Sequence, residues 1–242
     1  MFKHEKRLFH PVSVERPNPQ YAALLQEQMG GGNGELKAAL QYMSQSFRIK
    51  DKEIKDLFMD IAAEELGHLE MIGQTICLLN GHDVDAAATP GGEIQTHVQL
   101  GLNPGLINSS GYSWTGDYVT VTGDLCADLL SHIASEQRAK VVYEYLYRQI
   151  EDKKVRETID FLLNREEAHN AMFRDAFNKV QQSGSNRDFG TTKAATMYFS
   201  MSSPSPESDI PNMEVKPVSF NKPGKKKASD ESAKPQSRST KN

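Results

Sequence analysis

Residues 65–68 read Glu65-Leu66-Gly67-His68, and residues 166–169 read Glu166-Glu167-Ala168-His169. Both are Glu-x-x-His, and each lies in a long proline-free run with the 3.6-residue apolar period of a helix. A glutamate stands 30 residues before each motif: Glu35 before Glu65, and Glu136 before Glu166. Near the midpoints, Arg48-Ile49-Lys50-Asp51-Lys52 and Gln149-Ile150-Glu151-Asp152-Lys153 read as helix–helix turns. A helix rises about 1.5 Å per residue, so folding each stretch at its turn brings its two glutamates to one height. The Glu and His of each motif, three residues apart, share a helix face. Four carboxylates and two imidazoles then converge inside an all-α four-helix bundle, which is the ligand set of dinuclear carboxylate bundles.

The rest of the chain is organised around that bundle. Its 242 residues fit one domain with extensions. From Asn18 a helical pattern (Tyr21, Leu24, Leu25, Met29) runs into Gly30-Gly31-Gly32-Asn33-Gly34. Glycine costs about 1 kcal/mol per position inside a helix. Either the helix breaks there and Asn33 caps a new one, or it continues where something approaches its backbone closely. The first bundle helix is then expected at about 34–49 and the second at about 52–80, closed by Asn80-Gly81. Residues 81–115 carry Pro90-Gly91-Gly92, Asn103-Pro104-Gly105 and Ser109-Ser110-Gly111 with little periodicity. They read as a long crossover that lets helices 2 and 3 run parallel, with both hairpin turns expected at one end. Helix 3 is expected at about 117–149, with an irregular start at Thr120–Gly123, and helix 4 at about 152–182.

These boundaries give a bundle domain over residues 1–184, including an N-terminal leader. Residues 185–219 hold scattered apolar side chains and are expected to extend along the bundle or a neighbouring subunit. Residues 220–242, rich in Lys and Ser, read as a disordered tail. The net charge of −4 gives no reason to expect nucleic acid or a membrane surface as partner, and no run of 18 apolar residues predicts a span. Cys77 and Cys126 sit in apolar helical contexts without metal spacing and read as small buried side chains in a reducing compartment. The N-terminus shows no apolar run or cleavage signal, so the cytoplasm is the expected location.

Carboxylate and imidazole ligands suit manganese or iron, whereas cysteine ligands would favour zinc or iron–sulfur. One Glu-x-x-His alone is most simply a solvated helix face. Two of them, with partner glutamates at the same interval, are harder to explain without metal, because Ile61, Ala62, Leu69 and Ile72 flank the first and Leu162, Leu163, Ala168 and Met172 flank the second. Unpaired carboxylates buried there would be costly, and two cations would neutralise them. Glu64 and Glu167 are set aside, since each lies about 100° around its helix from the proposed ligand. Tyr42, seven residues after Glu35, shares its face and can donate to a ligand carboxylate, or can be an ordinary half-buried tyrosine. His132 is better read as core.

The chain resembles the manganese catalases, non-haem enzymes of the ferritin-like superfamily. The resemblance rests on Gln26-Glu27-Gln28-Met29-Gly30-Gly31-Gly32-Asn33-Gly34-Glu35-Leu36, Ala63-Glu64-Glu65-Leu66-Gly67-His68-Leu69-Glu70, Glu136-Gln137-Arg138-Ala139 and Arg165-Glu166-Glu167-Ala168-His169. It covers about residues 1–205. It implies disproportionation of hydrogen peroxide to water and dioxygen by two manganese ions per subunit, cycling between Mn(II) and Mn(III) pairs. Glu35 and His68 would hold one ion, Glu136 and His169 the other, and Glu65 would bridge them. Glu166 would act as an outer acid/base, with Tyr42 in its hydrogen-bond web.

The resemblance further implies a homohexamer with embracing C-terminal segments, and for some members calcium at a subunit contact. Asp56 and Asp60 occupy the equivalent helix, but Ser200-Met201-Ser202-Ser203-Pro204 departs from the expected tail pattern. One branch carries an arginine just before the third glutamate; here it is Ser135, so gating that needs the arginine is not carried over. Three other readings stay open. A di-iron oxidase or ferroxidase of the same fold would use Glu166 as a second bridge. A structural component of a spore coat belongs to another class altogether. A metal-free scaffold would leave buried Glu–His pairs.

Overall fold

In the computed structural model, residues 5–81, 101–183, 197–199 and 215–217 are described. The chain divides into two compact units, 1–186 and 187–242. Helix starts in the first unit are fixed by side chains that accept otherwise free backbone N–H groups, each cap being worth about 1 kcal/mol. Asn18 caps α1 (Pro19–Gly30), and Asp51 caps α3 (Lys52–Asn80). Asp124 caps α4 (Leu125–Gln149), and Asp152 caps α5 (Lys153–Gln182). Asp152 also accepts from the backbone N–H of Glu15 at 2.8 Å, which ties the leader to the second hairpin turn.

The glycine run breaks the first leg of the bundle. α1 stops at Gly31, and α2 (Glu35–Ser46) begins after Gly34, which offers no side-chain cap. Asn33, a cap in one of the two readings of the glycine run, instead accepts from Arg138 Nε at 2.8 Å. Gly30, the last residue of α1, has a packing reason. A Cβ on Gly30 would stand 2.5 Å from the backbone N and O of Ile107, so the crossover is seated directly on α1. Gln26 Nε2 fixes it there, donating to the carbonyls of Gly105 and Ile107 at 2.9 Å each. Helix 3 starts later than its apolar pattern suggests. A short 3-10 turn at Gly116–Tyr118 and an extended stretch precede Leu125, because Asp128 Oδ1 accepts from the N–H of Thr122 at 3.1 Å and from its hydroxyl at 2.7 Å.

The helices enclose two apolar clusters stacked along the bundle. One holds Ala22, Leu25, Ile72, Ile76, Leu79, Tyr143, Leu146, Ile150, Val155 and Ile159; the other holds Ala38, Tyr42, Ile54, Phe58, Ile61, Cys126, Leu129, Phe173 and Val180. α3 and α4 both run from the second cluster to the first, so they are parallel, as a long crossover requires. The two hairpin turns do not share an end, however. Ile49 packs on the second cluster and Ile150 lies in the first, since parallel α3 and α4 put the turn that begins one and the turn that ends the other at opposite ends. Both motifs fall in the gap between the clusters, at mid-height.

In the second unit two strands pair antiparallel, β1 (Met197–Phe199) with β2 (Val215–Pro217), in the register Tyr198↔Lys216. The sequence reading places no strand there, because three-residue strands are too short to show a period. Ser200–Pro204 and residues 220–242 lie outside the described residues. Cys77 and Cys126 are free thiols, the first half-buried and the second buried.

Candidate metal centre

Each leg delivers its side chains to the same level. α2 contributes Glu35, its first residue, where the helix dipole favours a carboxylate. α3 contributes Glu65 and His68, α4 contributes Glu136, and α5 contributes Glu166 and His169. All six are buried, none more than 2% exposed. Two groups of potential ligand atoms form, each within 4.8 Å: Glu35, Glu65, His68 and Glu166, and Glu65, Glu136, Glu166 and His169.

Glu65 sits between the halves. Its Oε2 lies 3.1 Å from His68 Nδ1 and its Oε1 lies 2.8 Å from His169 Nδ1. Outward from it, Glu35 Oε2 is 3.6 Å from His68 Nδ1, and Glu136 Oε2 is 3.7 Å from His169 Nδ1. Glu166 Oε1 stands 3.6 Å from His68 Nδ1. The fit to cations is tested by the atoms left over. Glu136 Oε2 and Glu166 Oε1 are buried without a hydrogen-bond partner, and Glu65 Oε1 and His169 Nδ1, though close, are not aligned for a hydrogen bond, an arrangement that costs several kcal/mol unless something else binds them. The donors are hard oxygens and imidazole nitrogens, which suit manganese or iron.

Without cations, protons take up part of that charge. Burial, then Glu65, push the Glu35 carboxyl up to about 8. Burial and the carboxylates of Glu65, Glu35 and Glu136 hold Glu166 well above its ordinary range. Burial favours the neutral ring of His169, but Glu136, Glu64 and Glu65 overcome it and push the imidazole up to about 12. His68 is likewise held well above its ordinary value, Glu65 and its neighbours outweighing burial.

Two tyrosines close the cage along the bundle axis. Tyr42 donates its hydroxyl to Glu136 Oε1, and Tyr143 donates to Glu35 Oε1; both are fully buried. Tyr143 escapes the sequence reading, yet the signal was present: it follows Glu136 by seven residues as Tyr42 follows Glu35. Lys37, also missed, is buried and donates from Nζ to Ser135 Oγ at 2.9 Å. Burial and Arg138 lower the Lys37 amine to about 8, against the pull of Glu136. His132 packs among Tyr42, Phe58 and Phe173 with Nε2 against Gln45, as a core histidine.

Of the two glutamates set aside, Glu167 is on the surface paired with Lys140. Glu64 is not remote. Its carboxylate faces the Nε2 atoms of both His68 and His169, and Arg165 holds it from α5. It precedes His68 by four residues, the spacing that should have placed it on the ligand face. Burial would raise its carboxyl, but contacts with His169, His68 and Arg165 hold it well below the usual range.

A bundle with a long crossover and a paired Glu-x-x-His cage defines a dinuclear carboxylate protein of the ferritin-like class. The chain belongs to the manganese-containing catalases, whose family model matches residues 1–216. It is 64% identical over 214 residues to a probable manganese catalase of Clostridium acetobutylicum, covering 88% of this chain and 95% of that one. It is 36% identical over 194 residues to a manganese catalase of Bacillus subtilis, covering 75% of this chain and 71% of the other. Its fold matches the crystal structure of a manganese catalase from Anabaena with a TM-score of 0.74 and 35% identity, covering 86% and 94% of the two chains. Membership makes it an enzyme that disproportionates hydrogen peroxide at a dimanganese site.

Proposed function

We propose that the cage holds two manganese ions, one in each half of one ligand set. Glu35 and His68 would hold the first, Glu136 and His169 the second, and Glu65 would be shared between them. The observation that carries this is the division of Glu65 between the two imidazoles, at 3.1 and 2.8 Å. The ion pair supplies a two-electron reservoir, Mn(II) pair to Mn(III) pair and back, so that one peroxide is reduced to water and the next is oxidised to dioxygen.

The chain's own residues handle protons and position. Burial and the neighbouring carboxylates of Glu65, Glu35 and Glu136 favour the protonated form of Glu166. We give it the role of proton carrier: it yields one of the two protons consumed as the O–O bond of peroxide breaks and recovers one of the two released as the second peroxide is oxidised. Tyr42 and Tyr143 hold Glu136 and Glu35 in place, each leaving one carboxylate oxygen for metal. Clusters of buried apolar side chains on both sides restrict entry to a molecule as small as peroxide.

Diffraction from manganese-loaded crystals at the manganese edge tests the assignment. It should show two anomalous peaks flanking Glu65, with Glu166 off both ions. A bridging Glu166 would instead support the di-iron oxidase type of site.

The assembly is read as a homohexamer. Leu130, Val141 and Tyr145 make one exposed apolar stripe on α4, 52%, 37% and 56% exposed, which suits a subunit contact. Light scattering should give a mass near six chains. For calcium, Asp56 and Asp60 offer two exposed carboxylates one turn apart, while Ser200–Pro204 brings no carboxylate, so the metal proposal is kept to manganese. We place the protein in the cytoplasm, on the two free thiols. Among the described residues no helix is long and apolar enough to cross a membrane.

A further inference from the structure

The residues just before the two motifs break the internal repeat. On α3 it is Glu64 and on α5 it is Arg165. They pair with each other: Arg165 Nε donates to Glu64 Oε1 at 2.6 Å, and a second guanidinium nitrogen lies 3.4 Å from Oε2. This fork fixes the plane of the Glu64 carboxylate. Its two oxygens then stand 3.5 Å from His68 Nε2 and 3.3 Å from His169 Nε2. The two imidazoles are stacked nearly parallel, 23° apart with centroids separated by 5.5 Å, so one carboxylate spans both. On their other edges both Nδ1 atoms point into the carboxylate cage.

A neutral imidazole carries one N–H, and the partner of one nitrogen decides whether the other is free to bind a metal. We propose that Glu64 is a positioning residue shared by the two imidazoles, accepting Nε2–H from His68 and from His169 so that both Nδ1 atoms are presented to the metals. The inference rests on His68 and His169 being ligands, as proposed above. Arg165 has a defined part in it. A lone carboxylate beside four others would add charge to the cage; paired with Arg165, it stays an acceptor without adding net charge. The repeat explains why one residue suffices. The symmetric arrangement would set a carboxylate on each helix, whereas here α5 supplies the cation and α3 the shared acceptor.

The test uses the full-length protein and manganese itself. Mn(II) affinity is measured by chelator competition for the wild type, E64A, E64Q and R165M, with H68A as the ligand control. Glu64→Ala should weaken binding about 10–100-fold, the usual effect of losing a partner of a metal-bound histidine. Glu64→Gln, which can accept from only one ring at a time, should fall between, and Arg165→Met should give a smaller loss.

Cobalt-loaded protein adds a readout that a merely structural role would not move. Its proton spectrum should contain two slowly exchanging imidazole N–H signals, and in E64Q at least one should exchange rapidly or vanish. Wild-type affinity and unchanged N–H signals in E64Q would overturn the proposal, even if E64A failed to fold. Failure of the ligand reading would look different: H68A would then bind manganese as tightly as the wild type.

Discussion

Tyr143 stands to Glu35 as Tyr42 stands to Glu136. Each phenol follows one outer glutamate by seven residues and donates its hydroxyl to the glutamate of the other hairpin. The two hydrogen bonds cross between the α2–α3 and α4–α5 hairpins and orient both carboxylates before any cation arrives. Hydrogen bonds to charged groups contribute about 1.5–3 kcal/mol. Tyr42→Phe and Tyr143→Phe should therefore each lower manganese affinity or turnover by about 10–100-fold, and to a similar degree. A large effect at Tyr42 with none at Tyr143, in chelator competition and oxygen-release assays, would show that the symmetry has no energetic counterpart.

The protons stored in the metal-free cage set a pH dependence. Glu35, with an ordinary value of 4.5, is pushed up to about 8, so the stability its proton gives the fold is complete below 4.5 and lost as pH rises through 8. His169 goes from 6.5 up to about 12, so its contribution too declines only as pH rises above the ordinary value. Metal-free protein should thus lose stability between about pH 5 and 8, while bound cations replace those protons. The Tm gap between manganese-loaded and chelator-stripped protein should widen across that range. A gap that stays constant or narrows would contradict the charges assigned to the cage.

Glu166→Gln separates proton transfer from metal binding. The amide keeps the shape but cannot cycle a proton. Two manganese ions should remain bound, and oxygen release should drop by about 10²–10⁴-fold, the usual contribution of an acid/base group. Loss of one or both ions from this variant, read by elemental analysis, would place Glu166 among the ligands.

Gly30→Ala probes the seat of the crossover. The new Cβ would stand 2.5 Å from the backbone of Ile107, which cannot yield as a flexible side chain would. Forced repacking of this kind costs about 1–3 kcal/mol. Calorimetry should show a lower Tm with the manganese content unchanged, and an unchanged Tm would mean that the crossover is held elsewhere.

The four long legs and the convergence of Glu35, Glu65, His68, Glu136, Glu166 and His169 were legible because both depend on periodicity and counting. A three-residue offset and two 30-residue intervals are enough to align the groups in height. What needed the structure was direction around the helix and contact between segments. Glu64 looked remote when judged by its angle to Glu65; its own four-residue spacing to His68 pointed the other way. The need for glycine at position 30 depends on Ile107, far along the chain, which local pattern cannot report, whereas Gly31 and Gly34 turn against the carbonyls of Glu27 and Gln28 close by. The opposite placing of the two turns follows from the parallel run of α3 and α4, since one turn begins α3 and the other ends α4. The β1–β2 pair is too short for any period to reveal.

The most direct test of the central claim is the metal content of the purified protein, measured together with oxygen release from hydrogen peroxide. Two manganese ions per chain are expected, with oxygen evolution that persists in azide. Two irons without oxygen evolution, or well-folded protein that binds neither metal, would contradict that claim.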